Sequence, residues 1–101
     1  MRGRGAFERL LRHGLRRNAE GYTFYFVKRD TGQARLGILV SRRHSPHAVD
    51  RNRIKRCVRE AFRLEQQRLG AIDLLVRPPY SVRPTASMIL RLRSLLQAIE
   101  P

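Results

Sequence analysis

Acidic side chains are scarce in this chain: 8 Asp and Glu stand against 22 Lys and Arg, a formal net charge of +14 over 101 residues. An independent metal-dependent nuclease gathers carboxylates or histidines around a phosphate. Here the acids are scattered, most of them on faces expected to meet solvent. Cysteine is nearly absent as well. Cys57 is the only thiol, which excludes a disulfide framework within the chain and fits a reducing cytoplasm. It falls on the apolar side of a helix with no cation aimed at it, so it reads as a buried, inert thiol. No apolar run approaches the roughly 18 residues of a spanning helix, and the Arg-rich start lacks the hydrophobic stretch of a signal peptide. A cytoplasmic protein without a membrane partner is expected. Repeats and low-complexity linkers are missing. His44 and His47 offer two metal ligands at most, and read as a solvated or phosphate-touching pair.

What remains is a folded, cationic body. With 42% hydrophobic residues in 101, the chain supports one modest core, a single domain over residues 1–101, rather than a disordered basic tail. The usual partner of such a domain is a polyanion. Phe7, Leu10 and Leu11 recur at helical spacing before Gly14, predicting a short first helix. YTFYFVK (22–28) and ARLGILV (34–40), joined by RDTGQ, read as a β-hairpin. Its pleat puts Phe24 and Phe26 with Leu36, Ile38 and Val40 on a core face. Thr23, Tyr25 and Val27 fall with Arg35, Gly37, Leu39 and Ser41 on a second, less apolar face. A long helix is expected from about Pro46 to Leu69, with Gly70 as its stop. AIDLLVR (71–77) follows as a strand, and a closing amphipathic helix carries Met88, Ile89, Leu92, Leu95, Leu96 and Ile99. The expected class is α+β: a small domain in the order α-β-β-α-β-α, its mixed sheet covered by helices.

RNRIKRCVREAFR (51–63) carries the charge. On a wheel of about 100° per residue, Ile54, Cys57, Val58 and Ala61 share one sector. Lys55, Arg59, Asn52, Arg63 and Arg56 sweep the opposite arc, with Arg51 and Arg53 at its edges. Cations at i, i+4 destabilise a helix by roughly 0.2 to 0.5 kcal/mol per pair, and Arg51, Lys55, Arg59 and Arg63 stand in that register. A merely soluble helix would interleave Glu. The arc therefore reads as a phosphate-facing surface on which Arg offers forked hydrogen bonds.

LGILVSRR followed by HAVDRNRIKRCVREAFR resembles the RNR signature of the bacterial ribonuclease P protein component family, and AFERLLRHG resembles that family's first helix. The resemblance implies a small basic subunit that associates with ribonuclease P RNA and promotes removal of the 5′ leader from precursor tRNA. Cleavage would belong to the RNA, with Mg2+ in the RNA-based active site and no cofactor bound by the protein. For contact with the catalytic RNA it implies Arg51, Asn52, Arg53, Lys55, Arg56 and Arg59, to which the charge pattern adds Arg42, Arg43 and Arg63. For the leader it implies a cleft formed by Phe7 and Leu11 with Thr23, Tyr25, Gly37, Leu39 and Ser41. Leu11 stands where many relatives carry a second aromatic, so apolar contact survives there without stacking. A left-handed crossover around the RNR helix is also implied, whereas strand-twist rules favour the right hand in about 98% of such connections. No obligate protein partner is expected. The alternative from another class is a ribosomal-protein-like RNA scaffold with no processing role, which needs the basic helix but not the second sheet face.

Overall fold

The computed structural model describes residues 10–80 and 83–99; Phe7 and the start of the expected first helix lie outside the described residues. Residues 10–13 are helical, and the Gly14 N–H closes the turn on the Leu10 carbonyl at 3.0 Å. A Cβ at Gly14 would sit 2.5 Å from that oxygen, so only glycine ends the helix this tightly. Then come strands β1 (Leu15–Ala19), β2 (Tyr22–Lys28) and β3 (Arg35–Ile38), helix α1 (Ala48–Leu69), strand β4 (Ile72–Arg77) and helix α2 (Ala86–Gln97).

The sheet order is β1-β2-β4-β3, with β1, β2 and β4 antiparallel in turn and β3 parallel to β4. This corrects the expected hairpin: β2 and β3 never touch in the ladder, because β4 lies between them. The reason is burial. Leu74, Leu75 and Val76 are all fully buried, and a run that is apolar on both faces belongs at the centre of a sheet. The connection after β2 is clipped to the centre as well. Asp73 on β4 forms an ion pair with Arg29 at 3.0 Å and accepts from Arg35 at 2.8 and 3.1 Å, and the Arg29 backbone N–H reaches the Ala71 carbonyl at 2.7 Å. The true hairpin is β1–β2, turned by Glu20 and Gly21 at φ 51° and 85°, the left-handed pair of a two-residue type I′ loop. β1 escapes the sequence pattern because LRRNA is exposed along nearly its whole length. Its arginines also protect the sheet edge from further pairing.

The face assignment survives the wrong pairing. Residues directly opposite share a face, so inserting β4 leaves Phe24, Val76 and Ile38 in one row and Tyr25, Leu75 and Gly37 in another. Both helices cover the first face: Ile54, Val58 and Ala61 of α1 and Met88, Leu92 and Leu96 of α2 join Phe24, Leu74 and Val76 in one core. α1 stops at Gly70 as expected. α2 is held at its C-terminal end by Arg17, which donates to the Ala98 carbonyl at 2.7 Å, and by Arg68, which donates to Leu96, cations where the helix dipole favours them.

Glu65 ties the helices together. It is almost covered and accepts from Arg93 at 2.9 Å, with Arg68 at 3.6 Å. Burial alone would raise its pKa, but hydrogen bonds from Arg93 and Gln97 outweigh that and hold it below the ordinary carboxylate value of 4.5. A depressed folded pKa contributes stability that is present above the unfolded value and lost as pH falls through the folded one. Acid unfolding followed by circular dichroism is therefore expected to show a loss of stability below about pH 4.5 that Glu65→Gln reduces. An identical acid profile in both proteins would remove this ion pair from the account.

Candidate nucleic-acid interface

The core face of α1 fixes where its cations point. With Ile54, Val58, Ala61 and Phe62 against the sheet, Asn52, Arg53, Arg56, Arg59 and Arg63 are exposed and Lys55 is half-buried. Arg53, Lys55, Arg56 and Arg59 make no ion pair or side-chain hydrogen bond among the described residues. Arg63 differs. Its guanidinium forks onto Glu60 at 3.0 and 2.6 Å, and these bonds pull the Glu60 carboxyl below its usual value. Arg51 differs too: it is half-buried, and its Nη1 donates to the Ser45 carbonyl at 2.9 Å. It anchors the preceding loop rather than standing free.

That loop presents Arg42 and Arg43, both exposed, and is locked by its own polar groups. The Ser41 N–H donates to His44 Nδ1 at 2.9 Å, the Ser41 hydroxyl lies 3.1 Å from the same nitrogen, and the Arg43 N–H donates to that hydroxyl at 3.2 Å. His44 is thus not solvated, as the sequence led one to expect. It is 4% exposed and packs on the Tyr80 ring with centroids 4.7 Å apart. Burial pushes its pKa down, the Pro78 carbonyl opposes this, and Arg77 adds to the lowering. A neutral ring accepting at Nδ1 carries its proton on Nε2, which is buried and feels the Pro78 carbonyl without forming a well-aligned hydrogen bond among the described residues. Ser41, expected in the leader cleft, has this second task of shaping the loop.

The second sheet face is more closed than its sequence implies. Leu10, Tyr25 and Leu75 form a small core of their own, flanked by Val27 and Leu39. Tyr25 is 8% and Thr23 4% exposed, Gly37 is buried and Leu39 half-buried. Leu11 and Ser41 stand open at the margin. Two arginines that sequence reasoning missed border this face. Arg16 lies directly across from Tyr25 in the β1–β2 register, its guanidinium 6.0 Å from the ring centroid. Arg77, across from Thr23, donates to its hydroxyl at 3.4 Å. The signal for Arg16 was alternation in LRRNA, legible only once that segment is a strand. The thiol of Cys57 is half-buried and raised by burial, with Arg56 opposing. No group of three or more His, Cys, Asp and Glu among the described residues could hold a metal ion, and no described helix is long and apolar enough to cross a membrane.

Comparison with known proteins agrees with this geometry. The family model described as Ribonuclease P matches residues 1–100. The ribonuclease P protein component of Nitrosococcus oceani is 38% identical over 87 residues, which cover 84% of this chain and 73% of that protein. Other matches span less of the relative, such as 42% of the corresponding protein of Acinetobacter baylyi. Among solved structures, the RNase P protein from Thermotoga maritima in complex with 1-(4-fluorophenyl)-2-thiourea superposes with a TM-score of 0.84 at 30% identity, covering 99% of both chains. The Staphylococcus aureus RNase P protein superposes with a TM-score of 0.79 at 26% identity over 96% of this chain and 87% of that one. A solvent-facing row of arginines on a helix docked to a mixed sheet, a family match along almost the whole chain and a fold shared from end to end have one common reading: the chain belongs to the bacterial ribonuclease P protein component family, the protein subunit of an endoribonuclease of tRNA maturation.

Proposed function

We propose that the chain binds ribonuclease P RNA through α1 and the loop before it, and holds the 5′ leader of precursor tRNA along the margin of the second sheet face. The observation that carries this reading is the row Arg53, Arg56 and Arg59, exposed and without side-chain partners among the described residues. A row of like charge costs the isolated helix stability and recovers it on a polyanion. Arg42 and Arg43 continue the row, and the Ser41–His44 lock keeps their loop in one shape. Cleavage is assigned to the RNA with its own Mg2+, and the chain acts in the cytoplasm. The same family likeness supports a left-handed β3–α1–β4 crossover.

For the leader, Leu11, Leu39 and Ser41 offer contact at the rim, and Arg16 beside Tyr25 supplies a cation where a phosphate and an unpaired base would meet. A pure RNA scaffold has no use for that combination. The test is leader release from precursor tRNA by the large RNA at low magnesium, with and without the protein. Stimulation is expected; none would return the chain to the scaffold reading. Within that assay, Tyr25→Leu keeps apolar volume but removes a stacking ring. It is expected to weaken precursor tRNA binding to the holoenzyme by about 1 to 3 kcal/mol while leaving mature tRNA unaffected. Equal losses for both ligands would remove the leader from this face.

A further inference from the structure

A cavity of about 270 Å³ opens at the start of α2, bordered by Glu20, Tyr22, Arg83, Thr85, Ser87 and Arg91 among others. Three independent features meet there. The helix begins without an acidic residue in its first turn, and its N-cap Thr85 makes no side-chain cap. The Thr85 hydroxyl is instead 2.9 Å from that of Ser87. The Met88 N–H bonds to the Thr85 carbonyl at 3.0 Å, whereas the N–H groups of Ala86 and Ser87 have no partner among the described residues. Unpaired N–H groups at a helix start favour an anion. Second, Tyr22 is 3% exposed, yet its hydroxyl makes no hydrogen bond among the described residues. It borders the cavity, within electrostatic reach of Arg91 and Glu20. The ring is nearly covered while the hydroxyl opens onto the cavity, where it is placed to donate to a ligand. Third, among the described residues Arg83 is exposed and unpaired, and Arg91 is engaged only by Glu20, at 3.2 Å. Glu20 reaches that place from the left-handed turn between β1 and β2.

The cavity also lies on the right side of the molecule. β3 and β4 run parallel and β2 against them, so the end of β4, the start of β2 and the basic loop after β3 share one end of the sheet. Pro79 packs beside Gly21, and a Cβ on that glycine would lie 3.0 Å from the Pro79 Cβ. The next residue, Tyr80, stacks on His44. The cavity and the loop that presents Arg42 and Arg43 thus lie at the same end of the sheet, linked through Pro79 and Tyr80.

We propose that this cavity is a phosphate-binding site, bound by the Tyr22 hydroxyl, the Ala86 and Ser87 N–H groups and the guanidinium groups of Arg83 and Arg91, and occupied by a phosphodiester of structured RNA. Burial raises the Tyr22 pKa from 10.0, with Arg91 opposing, so the phenol remains a donor. Glu20 occupies Arg91 until phosphate displaces it. The phosphate chemistry rests on the cavity alone, while its RNA source rests on the function proposed above.

Two arms test it on the whole chain. In the first, inorganic phosphate is titrated at constant ionic strength while the amide resonances are followed. Saturable shifts are expected at Ala86 and Ser87, weakened about tenfold by Tyr22→Phe or Arg83→Ala, the loss of one charge-assisted hydrogen bond, and strengthened by Glu20→Gln. In the second, Arg83→Ala is expected to reduce the log-log salt slope for the ribonuclease P RNA by about 0.7 to 1. No saturable shift in the wild-type chain would overturn the site. Phosphate binding with an unchanged RNA slope would overturn RNA as its ligand. A wild-type chain that binds no RNA would instead sink the proposed function and leave the phosphate titration standing.

Discussion

Replacing Arg53, Arg56 and Arg59 together with Ala is expected to weaken binding of the ribonuclease P RNA on the order of 10³-fold, taking about 1.5 kcal/mol for each charge-assisted hydrogen bond to phosphate. The log-log salt slope should fall by roughly 2 to 3 as three phosphate contacts are lost. The fold should not suffer. All three side chains are exposed and free of partners among the described residues, and Arg59 sits four residues from both Lys55 and Arg63, so its removal relieves like-charge repulsion within α1. The thermal midpoint is therefore expected to hold or rise while RNA affinity collapses. Filter binding across a salt series, with melting followed in parallel, reads both quantities. A slope that does not change would return the helix to an ordinary solvated face. Arg63→Ala alone should do much less, since Glu60 already occupies that guanidinium.

Leu75→Ala is expected to cost about 2 to 5 kcal/mol, a large part of the roughly 5 to 15 kcal/mol that holds a domain of this kind. Leu75 is fully buried in the central strand, with Tyr25 on one side and Gly37 on the other. On this face, among the described residues, Leu10 and Tyr25 are its buried partners, so few neighbours can move in to fill the void. Leu75→Met, which keeps the volume, should cost less than about 1.5 kcal/mol. Urea unfolding gives the comparison directly. A loss below 1 kcal/mol for the alanine variant, on the scale of about 2 or more expected for a packed leucine, would mean that this face is not a second core and that the leader margin has no fixed floor.

Helices and faces were legible in the sequence because each is a local property. Gly70 ends α1 where its spacing predicted, and the sector of Ile54 and Val58 pointed Arg53, Arg56 and Arg59 outward. Strand order was not legible. Which strand neighbours β2 depends on what β4 can bury on both sides, a choice made between segments more than 40 residues apart. β1 was invisible because an exposed edge strand carries no alternation of its own, and with it went Arg16. The wetness of the second face was overestimated for a related reason: Thr23 and Tyr25 look amphipathic as residues, but Leu10 packs with Tyr25 and Leu75, and Arg77 reaches Thr23. His44 was misread because a histidine in a run of arginines gives no sign that Ser41 and Tyr80 will fold around it. The resemblance to the family supplied the expectation of a cleft and of RNA contacts, which periodicity alone could not assign.

The central place of β4 has a kinetic consequence. It is the last of the four described strands to be synthesised, yet each of the other three meets the sheet through it or through its partner. Until Ile72–Arg77 emerges, the β1–β2 hairpin and the β3–α1 segment share no ladder, and the apolar side of α1 has only part of its platform. Such long-range closure slows folding relative to local contacts, and a chain of net charge +14 must also overcome its own repulsion to compact. A polyanion that gathers the arginines of α1 and its loop lowers that second barrier without touching the first. RNA is then expected to speed the collapse of this chain while the insertion of β4 still sets the pace, so assembly and folding proceed as one process.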